Sequence, residues 1–105
     1  MAKTIRLTMA QAVTHFLKAQ MTVVDGKKVP IFAGVWGIFG HGNVAGMGEA
    51  LYQVRGELPT LRAHNEQGMA HAAVAFAKAA FRQRFMACTT SIGPGALNMV
   101  TAAGV

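Results

Sequence analysis

The sequence predicts an α/β fold, a parallel sheet flanked by helices. Two observations carry this reading. Apolar runs suited to buried strands alternate with segments of helical spacing, and each strand leads into a loop of Gly, Asn or Ser that opens the next helix. A parallel connection of this kind sets its loops at the carboxyl ends of the strands, which is where such sheets place their sites.

The elements follow in order. Thr8 stands where an N-cap belongs, ahead of Met9, Ala12, Val13, Phe16 and Leu17, so Met9 to Gln20 reads as an amphipathic helix. Asp25-Gly26-Lys27-Lys28 reads as a turn, and Val29 to Trp36, apolar on both faces, as a buried strand. A Gly-rich loop covers Gly37 to Gly42, and Asn43 is placed to cap a second helix running to about Val54. Leu58 to Ala63 leads into a short second strand. Asn65 is placed to cap a third helix, Glu66 to about Phe81, and Arg84 to Thr90 reads as a third strand. Ser91 to Gly95 then turns the chain into a fourth helix that is still running at Val105.

Composition bounds the function. With 105 residues and 52% hydrophobic content, residues 1–105 are expected to form one small domain with a modest core. The longest apolar run, Ile31 to Phe39, is well short of the ~20 residues a membrane span needs, so no membrane partner is expected. The net charge of +6 comes from Lys and Arg scattered along the chain without interleaved aromatic residues, which reads as a solvated surface and not a nucleic-acid face. Met1 to Arg6 has no apolar segment behind its charges, and the single Cys88 suits a reducing compartment, so a cytoplasmic protein is expected. Cys88 itself reads as a small buried strand residue.

All three predicted strand ends carry unusual residues: Gly40-His41-Gly42-Asn43, His64-Asn65-Glu66-Gln67 and Thr90-Ser91-Ile92-Gly93-Pro94-Gly95. If the strands are neighbours, these loops share one rim and line one cleft. Glu66, one of only four acidic residues, heads the third helix, where backbone N–H groups and the helix dipole favour an anion. Behind it, Gly68, Ala70, Ala72, Ala73, Ala75, Ala77, Ala79 and Ala80 leave little side-chain bulk, so another surface can approach closely. A carboxyl closed into apolar contact is favoured in its neutral, proton-donating form by desolvation, against the pull of the dipole. Two rival readings attach to the other loops. Gly40 to Ala45 satisfies the dinucleotide fingerprint G-x-G-x-x-[GA], but the acid expected at the end of the next strand is missing: Glu57 precedes that strand and Glu66 heads the following helix. The Pro94 loop has the form of a phosphate cradle, but it contains no Lys or Arg, and a tight turn that brings backbone close to a ligand accounts for it as well.

Two runs together resemble a known family. Asn65-Glu66-Gln67-Gly68-Met69-Ala70-His71-Ala72-Ala73, followed one strand later by Thr90-Ser91-Ile92-Gly93-Pro94-Gly95-Ala96-Leu97-Asn98, resembles the pyrimidine-binding domain of thiamine-diphosphate enzymes related to acetohydroxyacid synthase. With Arg6 to Ala12 and Phe39 to Gly46, the resemblance narrows to the hydrolase branch of inositol catabolism and covers Lys3 to Ala103. It implies thiamine diphosphate and Mg²⁺ as cofactors and Glu66 as the catalytic residue, hydrogen-bonding the pyrimidine nitrogen and promoting the imino tautomer that removes the thiazolium proton. Gly42, Asn43, Gly95 and Asn98 join Glu66 as expected cofactor contacts, and His41, Gln67 and Ser91 as expected substrate contacts. The implied reaction opens a small cyclic 1,2-dione to 5-deoxyglucuronate, in a protein that is a homodimer or homotetramer when full length.

The departures are specific. Phe39-Gly40-His41-Gly42-Asn43 replaces the F-G-x-P-G of many relatives, Ile92 is an extra residue in the T-S-G-P-G turn, and Asn65 stands in place of the usual His before the glutamate. His15 reads as a boundary residue, His71 as packing, and His64 receives no catalytic role. No stretch matches the G-D-G…N motif of the domain that holds the diphosphate and Mg²⁺, so the chain is expected to be the N-terminal part of an incomplete pyrimidine-binding domain, inactive alone, with no metal ligands of its own. Another carboligase or lyase of the same family, or a non-catalytic binding module exposing its apolar faces, are the alternatives.

Overall fold

In the computed structural model, residues 3–105 are described, and Met1 and Ala2, which head the segment read for a leader, lie outside the described residues. Helix α1, Met9–Ala19, begins where the spacing places it: Thr8 accepts from Gln11 N while the Gln11 side chain accepts from Thr8 N, a reciprocal cap that satisfies otherwise orphaned donors. Strands β1, Met21–Val24, and β2, Lys27–Pro30, form an antiparallel hairpin. Its two-residue turn has φ of 52° at Asp25 and 78° at Gly26, the doubly positive geometry whose twist matches the strands. The single strand expected over Val29 to Trp36 is therefore two. Pro30 ends β2, Ile31 N donates back to Gln20 O at 2.9 Å, and the buried strand β3 runs only over Phe32–Gly37.

After β3 come a helical turn, α2, His41–Asn43, a π-helical turn at Val44–Gly48 and helix α3, Glu49–Gln53. Asn43 is not the cap expected of it, because the helical segment starts two residues earlier with Gly40 in the capping position. Strand β4 is Thr60–Arg62, helix α4 is Glu66–Ala79 and strand β5 is Phe85–Thr89. Asn65 caps α4 as expected, accepting from Gly68 N at 2.8 Å. The helix stops short of Phe81, which with Arg82 takes a positive φ that cannot continue it. The fourth helix is also shorter than expected: it divides into α5, Pro94–Leu97, and α6, Val100–Ala103, and ends before Val105.

The sheet has the order β4-β3-β5 with both pairings parallel, and helices flank it. Val35, Leu51, Val54 and Leu58 form the buried core between β3, α3 and the segment before β4, with Leu17, Phe39 and Ala87 packed around them. On the other side, Met69 of α4 and Ala102 of α6 are buried. Leu58 and Leu51 are 0% and 1% exposed, so each contributes a full share of apolar burial. Leu58→Ala is expected to cost roughly 2–5 kcal/mol of unfolding free energy. Urea denaturation followed by circular dichroism measures this, and a loss below about 1 kcal/mol would show that the core does not rest on this side chain.

Candidate functional site

The parallel register sets Gly37 opposite both Arg62 and Thr89, so all three strands leave the sheet on one rim. The loops after β3 and β5 are laced together. Ile38 N donates to Thr89 O at 3.1 Å, and the Asn43 side-chain amide donates to Thr89 Oγ1 at 3.2 Å and to Thr90 O at 3.1 Å. Each part-buried bond of this kind is worth about 1 kcal/mol net, which is enough to fix the loops in register. Asn43, predicted as a cofactor contact, thus has its amide committed to the β5 loop.

Glu66 opens α4 directly behind its Asn65 cap. Its side chain is half-buried, and the Asn98 side-chain amide donates to its Oε1 at 3.1 Å. Its Oε2 faces Gly95. A Cβ built on Gly95 would lie 3.1 Å from Glu66 Oε2, 2.7 Å from Thr90 Oγ1 and closer still to Ser91 Oγ. Three oxygens, one from α4 and two from the loop after β5, therefore crowd this position so closely that only glycine fits there. The apolar enclosure expected for the carboxyl is not what the fold supplies: an amide and two hydroxyls are its neighbours. Small residues of α4 instead border an apolar groove of about 510 Å³ against the sheet, where Ala72, Ala75 and Ala79 face Trp36, Leu61 and Met86.

Glu66, Gly95, Asn98 and Ser91 thus come together. Gln67 is half-buried beside them on α4, whereas His41 and Gly42 are exposed, and nothing lies within 4 Å of a Cβ at Gly42. His41 has a φ of 32°, an unusual value for a side chain of its size. His64 lines a separate cleft of about 320 Å³ with Trp36 and Arg62. Thr90 was not singled out from the sequence, yet its Oγ1 is buried without a hydrogen-bond partner among the described residues. A buried hydroxyl left unpaired calls for an explanation, and here it adjoins the carboxyl. The signal was available as a hydroxyl pair, Thr90-Ser91, ahead of a Gly-Pro-Gly turn. The dinucleotide reading loses ground, since β4 ends on Arg62 and not on an acid.

Comparison with known proteins gives the family. The chain is 58% identical over 104 residues to the 3D-(3,5/4)-trihydroxycyclohexane-1,2-dione hydrolase of Shouchella clausii, 55% over 102 residues to that of Listeria monocytogenes and 54% over 104 residues to that of Bacillus subtilis. These matches take in 97–99% of the chain. The chain is a segment of this hydrolase family. It spans about 16% of the length of the curated relatives it matches. No protein-family model and no solved structure matches it. The resemblance read from the Glu66 and Gly95 runs together with Arg6 to Ala12 and Phe39 to Gly46 therefore points to the same hydrolase branch as the whole-chain match. No helix among the described residues is long and apolar enough to cross a membrane.

Cys88 lies on β5, one residue before the strand's end, and burial pushes its thiol above the ordinary value of 9.0. It therefore stays protonated and unreactive, as a small strand residue does. Because the folded-state value is raised, its contribution to stability is complete below the unfolded thiol's pKa and is lost as pH climbs through the folded value. Melting temperature is expected to fall on going from pH 8 to pH 10.5 in the native sequence, and to fall less in Cys88→Ala. Identical pH profiles would contradict the burial argument.

Proposed function

We propose that this chain forms the pyrimidine side of a thiamine-diphosphate site in an enzyme that opens the ring of trihydroxycyclohexane-1,2-dione, the compound in its relatives' name. The observation that carries the proposal is the Glu66 carboxyl held by Asn98 and packed with Thr90 and Ser91 around Gly95. The polar set suits the edge of an amino-substituted heteroaromatic ring: a carboxyl, a neighbouring hydroxyl without a partner and a backbone at Gly95 that carries no side chain. Glu66, Gly95 and Asn98 would hold that ring, with Gly42 and Asn43 on the neighbouring loop. His41, Gln67 and Ser91 are the candidates for the substrate side. Diphosphate and Mg²⁺ belong, in this reading, to a further domain of a longer cytoplasmic protein that works as a homodimer or homotetramer, and the isolated chain does not turn over.

When bound, thiamine diphosphate supplies a carbon nucleophile able to attack a carbonyl and to accept the electron pair of the broken bond. The chain's own residues do the positioning. Asn98 donates to Oε1 and so keeps that oxygen an acceptor, which leaves Oε2 to give or receive a proton at the notch. Gly95 lets the Thr90 and Ser91 hydroxyls pack close to the Glu66 carboxyl, where any side chain would push them apart. Asn43 holds the β3 and β5 loops at fixed spacing while this happens. Overall, water divides across the ring carbon–carbon bond: its hydroxyl joins the former carbonyl carbon as an acid, and its proton joins the released carbon.

Glu66→Gln keeps the shape and the hydrogen bond at Oε1 but cannot exchange a proton at Oε2. In a full-length protein carrying this segment, kcat is expected to fall by about 100-fold or more while the melting temperature stays within a few degrees. Ring opening by this variant at the unsubstituted rate would remove the catalytic assignment.

A further inference from the structure

Away from the Glu66 notch, a cleft of about 260 Å³ opens between α3 and β4, with Phe39, Leu51, Tyr52, Arg55, Thr60 and Arg62 in its wall. Arg55 is held in place. Its guanidinium carbon lies 3.7 Å from the centroid of the Tyr52 ring, and Nη1 donates to Tyr52 O at 2.6 Å. A guanidinium stacked on an aromatic face and pinned by its own backbone has lost most of its freedom before any ligand arrives, so its remaining N–H groups are presented at little entropic cost. Arg62, the last residue of β4, contributes the second guanidinium.

Neither guanidinium is in an ion pair: among the described residues the one ion pair is Lys18 with Glu57. Two like charges lining one cavity repel, and an anion between them turns that repulsion into attraction. The Thr60 hydroxyl in the same wall is buried without a hydrogen-bond partner among the described residues. The rest of the lining is apolar, from Phe39, Leu51 and the Tyr52 ring. Glu49 stands in the adjoining cleft of about 510 Å³, which shares Tyr52 and Arg62, and its charge opposes extension of a polyanion in that direction.

We propose that this cleft is a binding site for a small-molecule carboxylate on a compact apolar body, with Arg62 and Arg55 taking the oxygens and Phe39, Leu51 and Tyr52 taking the body. The proposal does not depend on thiamine diphosphate. Benzoate, acetate and inorganic phosphate titrated into the protein, with the arginine Nε–Hε resonances followed by NMR, test it directly. Benzoate is expected to saturate the Arg55 and Arg62 signals, acetate to bind about tenfold more weakly for want of the ring, and Arg62→Gln or Arg55→Gln to weaken benzoate by about tenfold or more. Lys27→Gln, on the distant hairpin, is expected to leave benzoate binding unchanged. Absence of saturation, benzoate affinity in either arginine variant equal to that of the unsubstituted protein, or phosphate binding more tightly than benzoate would overturn the proposal, the last by showing a bare charge patch.

Discussion

The structure depends most on the parallel register between β3 and β5. Because Gly37 pairs with Thr89, the chain leaves both strands at the same level, and the two following loops must run side by side. Every feature of the candidate site inherits that placement. Asn43 reaches β5 only because its helical turn starts beside Thr89, and Gly95 comes under Glu66 only because the β5 loop turns back toward α4. The backbone bonds of the sheet are thus the frame, and the side-chain bonds between loops are the fine adjustment. A slip of one residue in this pairing would reverse the faces of β5 and carry Cys88 and Thr89 to the wrong sides.

Within that frame, the Asn98 amide acts on a single oxygen of Glu66 and distinguishes it from its twin, and so decides which oxygen faces Gly95. Lack of a side chain at Gly95 is then a positive requirement: a Cβ there would meet Ser91 and Thr90 before any ligand could. The unpartnered Thr90 hydroxyl is a cost that a purely structural turn has no reason to carry.

Much of this was legible in the sequence. The caps at Thr8 and Asn65, the three parallel strands and the shared rim all follow from local chemistry that the fold does not override. Residues Glu66 and Gly95 were found through their motifs, and Asn98 with them. The departures have physical causes. The Asp25-Gly26 turn was visible, but β1 is too short and too exposed to give a clear alternation, so its partner β2 merged with β3 into one apolar run. Asn43 has the chemistry of a cap and spends it on a long-range contact, which no local rule reveals. The break between α5 and α6 falls in a helix-compatible stretch, and only the position of Asn98 against Glu66 gives it a purpose. Arg55 and Arg62 were counted among scattered charges because seven residues of chain hide the fact that they border one cleft.

The account stands on the Glu66 carboxyl packed against Gly95, and calorimetric titration of thiamine diphosphate into Gly95→Ala, in a full-length protein carrying this segment, tests it most directly. If Glu66 meets the cofactor ring, the added methyl, which must push aside the Ser91, Thr90 and Glu66 oxygens, is expected to weaken binding by about tenfold or more while the protein still melts cooperatively. Binding by Gly95→Ala as tight as by the unsubstituted protein would contradict the account, since disturbing the oxygens around Glu66 would then have made no difference.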